Sequence, residues 1–311
     1  MSTAAQLEAR TYFKNILVAT DFSEVSRIAL QFAAGLAEEH QGRLLIAHML
    51  PPLAREPIPL EMPASLETER SQARRQMEAL AGEEFLSHVR HEERIERGDS
   101  WLVLLDLIEE QGIDLLVLGT HARTGLKKLV LGSVTEQLFR LAPCPVMTVS
   151  PHVAFKARDG GSVQEVLFAT DFGRASRNAL PYAIALANEK RARLCLLHVI
   201  TPLPPLSMGP SWYPGTEGPA RQEEEVLEAE KRLRELVPAK TSFVNEPEFV
   251  VELAQMPEAI LKTAFDRNAD LIVMGVKAVS PGQARAAAHV PWPTAHEVVC
   301  HAECPVITVR G

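Results

Sequence analysis

The stretch Asp114–Val149, DLLVLGTHARTGLKKLVLGSVTEQLFRLAPCPVMTV, decides how the chain is read. It opens as an apolar run of strand character and turns at Gly119-Thr120-His121. It then crosses a basic loop, steps through Gly132-Ser133 into a helix, and ends in a second strand. Glycines and a Ser133-Val134-Thr135 run stand where strands stop and a helix starts, the place where backbone N–H groups are free to hold an anion.

Working outward, the same pieces occur twice. Asn15-Ile-Leu-Val-Ala-Thr-Asp-Phe22 returns as Glu165-Val-Leu-Phe-Ala-Thr-Asp-Phe172, and Leu44-Leu-Ile-Ala-His-Met49 as Leu194-Cys-Leu-Leu-His-Val199. Asp114-Leu-Leu-Val-Leu-Gly119 matches Asp270-Leu-Ile-Val-Met-Gly275, and Cys144-Pro-Val-Met-Thr-Val149 matches Cys304-Pro-Val-Ile-Thr-Val309. The offset is 150 for the first two pairs, 156 for the third and 160 for the last. Insertions therefore fall between elements, as they do when loops diverge on a retained scaffold. A period this long is a domain duplication. The expected domains are 1–151 and 162–311, joined by a linker from Pro151 to Ser162.

Each copy alternates strand and helix. Ile16–Thr20 is a short buried strand, Asp21-Phe22-Ser23 a turn, and Ser23 the cap of a helix whose Val25, Ile28, Ala29, Phe32, Ala33, Leu36 and Ala37 form one apolar stripe. A strand over Leu44–Met49 follows, then a Pro-rich segment from Pro51 to Pro63 and a mostly polar helix around Thr68–Leu86. A strand near Val89–Ile95 and a helix from Ser100 to about Gln111 complete the unit. Short apolar strands without polar alternation, spaced by helices, predict an α/β fold: two tandem, doubly wound, parallel five-stranded sheets with helices on both faces. Ligands on such sheets sit outside the carboxyl ends of the strands, where strand order reverses. Ala19, Thr20, Asp21, His48, Met49 and Gly119 to His121 are expected to line that rim.

Composition narrows the partners. The 311 residues carry a net charge of -8 with 46% apolar and 23% charged residues. No block of five Lys or Arg occurs, so nucleic acid is not expected as a partner. No apolar run reaches the roughly 18 residues of a membrane span, and the start MSTAAQLEART lacks a signal-peptide core, so a cytoplasmic protein is expected. The four cysteines read as reduced thiols.

The repeated blocks resemble a tandem universal stress protein over nearly the whole chain. That family's nucleotide motif is Gly-x2-Gly-x9-Gly-Ser/Thr. Here it reads Gly119-Thr-His-Ala122, nine residues, then Gly132-Ser133-Val134-Thr135, so three of its four positions match. The resemblance implies the adenine nucleotide alpha-hydrolase-like fold, and ATP or a related adenine nucleotide in the first copy. Mg2+ is expected only if a triphosphate binds. It also implies that Ala19, Thr20 and Asp21 contact ribose and base, that Met49 contacts the base through its main chain, and that Gly119, Ala122, Gly132, Ser133, Val134 and Thr135 hold phosphates and ribose. Physically, Gly132 admits a close phosphate and the helix that follows offers N–H donors and a favourable dipole. Arg123, Lys127 and Lys128 add positive charge.

Ala122 departs from the family's glycine. If that position needs a positive φ, alanine costs about 1–2 kcal/mol. The second copy departs further. After Gly275 it reads Val276-Lys-Ala278, and where Gly-Ser is due it offers Ala288-His289 or, aligned from the Cys-Pro-Val strand, Trp292-Pro293. Neither register restores the motif, so this copy is expected to keep the fold, lose phosphate binding and serve pairing or regulation. The two halves are expected to pair through their Cys-Pro-Val strands like a dimer, with a further homodimer and protein partners left open.

Other constellations read as structure. His296, Cys300 and Cys304 are spaced like a ligand stripe, but Cys304 heads a buried strand; no metal site is expected. His48 and His198 recur at strand ends, where a bond to backbone is the favoured reading. Pro202–Pro219, with Trp212 and Tyr213, is a lid, a partner surface or a plain connection. No Gly-x-Ser-x-Gly elbow or P-loop appears. Three functions remain: a nucleotide-binding stress protein, a nucleotide-independent scaffold, and a slow ATPase using His121, Arg123, Lys127 and Lys128.

Overall fold

A computed structural model describes residues 13–53, 64–120, 132–153, 163–202, 218–277 and 293–311. The first half runs β1 (Asn15–Thr20), α1 (Glu24–Glu39), β2 (Arg43–Leu50), α2 (Ala64–Ala81), β3 (Arg90–Arg97), α3 (Ser100–Gln111), β4 (Leu115–Gly119), α4 (Ser133–Leu141) and β5 (Val146–Val149). The second runs β6 (Glu165–Thr170), α5 (Arg174–Lys190), β7 (Arg193–Ile200), α6 (Gly218–Leu236), β8 (Glu248–Leu253), α7 (Met256–Asp266), β9 (Leu271–Val276), α8 (Pro293–His301) and β10 (Val306–Arg310).

The two expected five-stranded parallel sheets are present and continuous with each other. Strand order is β3-β2-β1-β4-β5-β10-β9-β6-β7-β8. Pairings within each half are parallel, and β5 meets β10 antiparallel, with Met147 opposite Ile307. Order reverses between β1 and β4, and between β6 and β9, which makes these the switch points. The outer strand β3, RHEERIER, is dense in charge, as suits an exposed edge.

Burial follows the strand alternation. Ile16, Val18, Leu44 and Ile46 face α1 and α2, in a cluster that runs on into the second half through Phe168, Leu180 and Leu196. Leu17, Leu45, Ala47 and Leu116 face α3 and α4 in a separate cluster. The matching second-half cluster under α7 and α8 also takes in Phe139 from α4, which therefore crosses the seam.

The polar helix expected around Thr68–Leu86 is already helical before Thr68 and ends earlier, at Ala81, because a turn follows at Gly82 and residues 84–86 form a separate 3-10 turn. The strand placed near Val89–Ile95 lies at Arg90–Arg97. Residues 54–63, Trp212, Tyr213 and most of the second Pro-rich segment and the linker lie outside the described residues.

The seam repeats its contacts about a pseudo-twofold axis. The Thr148 hydroxyl donates to the Val306 carbonyl and the Thr308 hydroxyl to the Val146 carbonyl, both at 3.2 Å. The Ser150 hydroxyl reaches the Ala302 carbonyl at 2.6 Å, while Arg310 donates to the Leu141 and Ala142 carbonyls. Above the sheet, the ends of α1 and α5 meet: Lys190 pairs with Glu39, and His40 lies 3.6 Å from Glu189. His40 thus stands where strict symmetry would repeat the lysine. Burial holds the His40 pKa below the ordinary imidazole value, against the pull of Glu39 and with help from Lys190 and Lys14.

Two outcomes are expected. Thr148→Val combined with Thr308→Val removes two hydroxyl bonds but leaves backbone pairing intact, so urea unfolding should show a loss of about 1 kcal/mol per bond with an unchanged m-value. For His40, the folded chain takes up its proton at lower pH than the unfolded chain. Stability should therefore fall as pH drops below about 6.5, by at most about 1.4 kcal/mol per pH unit for this group, until the depressed folded pKa is reached. His40→Asn should flatten that part of the pH profile.

Candidate functional site

The repeated Ala-Thr-Asp-Phe sequence builds a self-contained turn at the carboxyl end of the first strand of each half. Phe22 and Phe172 adopt left-handed backbone, φ 63° and 59°, a strained choice for bulky residues. Side-chain caps hold it there. The Phe22 N–H donates to the Thr20 hydroxyl and the Ser23 N–H to Asp21, both at 3.0 Å. Phe172 and Gly173 repeat this on Thr170 and Asp171 at 2.9 and 2.8 Å. Each Phe ring then lies 4.3 Å from the histidine ending the next strand, His48 or His198. Those histidines bond through Nδ1 to the carbonyls of Thr20 and Thr170 at 2.8 Å. They are tied to backbone, as the favoured reading had it.

The expected rim therefore divides between the two sheet faces. Ala19 and Met49 pack on the α3 and α4 side, and Val134 from α4 joins them. His48 alternates with Met49 along β2, stacks on Phe22 beneath α1, and so does not line the rim with Ala19 and Met49. Thr20 is buried, and its hydroxyl is already shared between Ser26 and the Phe22 N–H. Asp21 is exposed beside it. Gly119 ends β4 against the first turn of α1, where an added Cβ would meet the Ser26 nitrogen at 3.0 Å and Val25 at 3.1 Å. Glycine is thus needed there for close helix–strand packing.

Across the switch point, Gly132 caps α4 with extended backbone and no side-chain hydrogen bond, and Ser133 is the first helical residue. Among the described residues, a Cβ at Gly132 would meet Thr135 Oγ1 at 3.9 Å and nothing nearer. Thr135 is 8% exposed. Ala122, His121, Arg123, Lys127 and Lys128 lie outside the described residues.

The second half uses the same parts differently. Its α8, described from Pro293, matches α4 at an offset of 160, and the two helices end alike, with the Ala302 N–H on the Val298 carbonyl as the Ala142 N–H is on that of Leu138. Of the two registers the sequence leaves open, the structure selects the one that sets Pro293 opposite Ser133. Proline suits a helix start but removes one of the N–H donors. Gly275 lies so close under α5 that a Cβ would overlap the Ser176 nitrogen and the Ala175 carbonyl carbon. Burial works to raise the Asp171 carboxyl, but bonds from Ser176 and Gly173, with Lys277 nearby, outweigh it and hold the pKa below the usual range. Asp171 is committed to its own turn.

The thiols are packing groups. Burial pushes Cys144 and Cys195 up to about 12, far from thiolate at neutral pH. Cys300 and Cys304 are 4% exposed, and the Cys300 sulfur lies 3.9 Å from His296. Among the described residues no group of three or more His, Cys, Asp or Glu is placed to hold a metal, and no helix is long and apolar enough to cross a membrane. What sequence reasoning missed is Arg232, whose guanidinium lies 4.2 Å over the Phe172 ring. Its only sequence signal is that it follows an apolar helix stripe after the second Pro-rich segment.

Comparison with known proteins agrees with this geometry. The profile of the universal stress protein family matches residues 12–150 and again 162–310. The universal stress protein MJ0531 of Methanocaldococcus jannaschii is 30% identical over 142 residues, 44% of this chain and 82% of that relative. YxiE of Bacillus subtilis is 28% identical over 150 residues, 44% of this chain and 99% of its own length. The crystal structure of a universal stress protein from Archaeoglobus fulgidus superposes with a TM-score of 0.65 at 19% identity, covering 96% of this chain and 98% of that one, and so shares its fold. With two family matches, a duplicated sheet and the adenine nucleotide alpha-hydrolase-like architecture, the chain belongs to the universal stress protein family as a tandem member.

Proposed function

We propose that this protein acts in stress response by binding ATP or a related adenine nucleotide in its first half, while the second half serves pairing and regulation. The observation that carries the reading is the glycine-capped start of α4 at the β1/β4 switch point. There, Gly132 brings no side chain to cap the first-turn N–H groups, which together with the helix dipole favour an anion such as phosphate. The parts around it fit such a ligand. Exposed Asp21 is placed for ribose hydroxyls, Ala19 and the Met49 main chain for the base, and Gly132 to Thr135 for phosphates. Thr20 contributes through its backbone, since its hydroxyl is used within the turn. Mg2+ would accompany a triphosphate only.

A nucleotide-independent scaffold is the second reading, and Ala122 in a glycine's place is the observation that favours it. Slow hydrolysis would depend on His121, Arg123, Lys127 and Lys128. Phosphoryl transfer needs positioned charge and an oriented water, and no such pair is formed by the described residues. Pairing of whole chains into a homodimer is compatible with both readings.

Mass spectrometry of molecules released from freshly purified protein, followed by ATP titration calorimetry, tests the proposal. Micromolar binding that Gly132→Trp removes is expected. Ala122→Gly should tighten it by roughly five- to thirtyfold if its methyl costs what a left-handed alanine does. Absence of binding at millimolar ATP, ADP and AMP would leave the scaffold reading standing.

A further inference from the structure

The second half has a cavity of about 800 Å³ that belongs to neither rim motif. It opens between the end of β7, at His198 and Ile200, and the face of α6 that carries Leu227, Ala229, Lys231 and Arg232. Along β7, His198 and Ile200 alternate with Val199, whose neighbours are the α7 and α8 cluster. The cavity therefore lies on the sheet face opposite to the one that in the first half carries Ala19, Met49 and α4. It is an open groove rather than an enclosed pocket, with room for a small molecule.

We propose that this cavity is a binding site for small organic monoanions with an apolar body, such as a carboxylate or sulfonate on a hydrocarbon frame. The anchor is Arg232. Its guanidinium lies 4.2 Å over Phe172, whose ring is 4.3 Å from His198, and His198 is fixed by its bond to the Thr170 carbonyl. The ring keeps the guanidinium at this end of the groove, and its N–H donors suit a planar, forked anion. Neither Arg232 nor Lys231 makes an ion pair among the described residues.

The remaining wall defines the rest of the ligand. Leu227, 61% exposed, joins Ile200 and Ala229 as an apolar surface that a hydrocarbon body would cover. Glu224, Glu225 and Glu228 line the cavity one to two turns nearer the start of α6. They oppose every negative charge on a ligand, so a monoanion held at the Arg232 end is disfavoured least and a triphosphate most. Asp171, the other carboxylate that His198 senses, is occupied by Gly173 and Ser176. The first half keeps the Phe22–His48 pair at the same 4.3 Å. There, however, the helix position matching Arg232 is Gln76, judged by the buried pairs Ala73 with Ala229 and Met77 with Leu233. The guanidinium belongs to the second half alone.

Fluorescence titration of the full-length protein with 8-anilinonaphthalene-1-sulfonate, with octanoate as competitor, tests the site. Saturable binding displaced by octanoate is expected, with Arg232→Gln weakening both ligands by about tenfold, as loss of a charge-assisted bond should. Arg232→Gln copies the residue the first half already carries at an exposed position, so folding should be unaffected, and circular dichroism checks this. Gly132→Trp should leave the titration unchanged, which separates this site from the proposed nucleotide site. Undiminished binding by Arg232→Gln, no saturable binding by the wild type, or displacement by ATP as readily as by octanoate would each overturn the proposal.

Discussion

The antiparallel pairing of β5 with β10 organises the whole molecule. Within each half every pairing is parallel, so this one antiparallel contact turns the two sheets end for end. The carboxyl ends of the first-half strands point one way and those of the second half the other. The two rims therefore open at opposite ends of a single ten-stranded sheet. The seam also closes what would otherwise be an exposed apolar edge on each half, leaving β3 and β8 as the outer strands. Thr148 and Thr308 exchange equivalent bonds across it, and Phe139 reaches into the far cluster. Neither half would bury these groups alone.

Duplication on one scaffold then lets the halves specialise. The Thr-Asp-Phe turn and its histidine are retained in both, with matching φ values and ring distances. This device fixes where the first helix of each half begins, and it costs strain that the caps offset. The surroundings have drifted apart: Pro293 replaces Ser133, Gly275 is pressed harder under its helix than Gly119, and Arg232 stands where the first half has Gln76. Even the seam is unequal, with His40 in place of a lysine. A chain that holds both halves covalently is free to let each lose what the other keeps.

Much of this was legible in the sequence. The repeat named the strands, and the Ser100–Gln111 helix fell where the pattern placed it, because period and apolar runs are local signals. The Cys-Pro-Val seam was expected from the family resemblance, since no local signal tells which strands pair across halves. The left-handed Phe22 was not legible, since a bulky residue at positive φ contradicts local preference and is held by the side chains of Thr20 and Asp21 just before it. Nor was the division of the rim: His48 and Met49 are neighbours in sequence, yet strand alternation sends them to opposite faces. The two registers available for the second Gly-Ser position could be separated only by seeing α8 end at His301 as α4 ends at Leu141. Arg232 was invisible because its partner, Phe172, is sixty residues away.

The two halves share a fold, and the proposed nucleotide site belongs to the first alone. Native mass spectrometry of the intact chain with Mg-ATP counts bound nucleotides directly. One per chain is expected. Two per chain would show that the Pro293 end binds phosphate after all, and none would show that the start of α4 is not a nucleotide site.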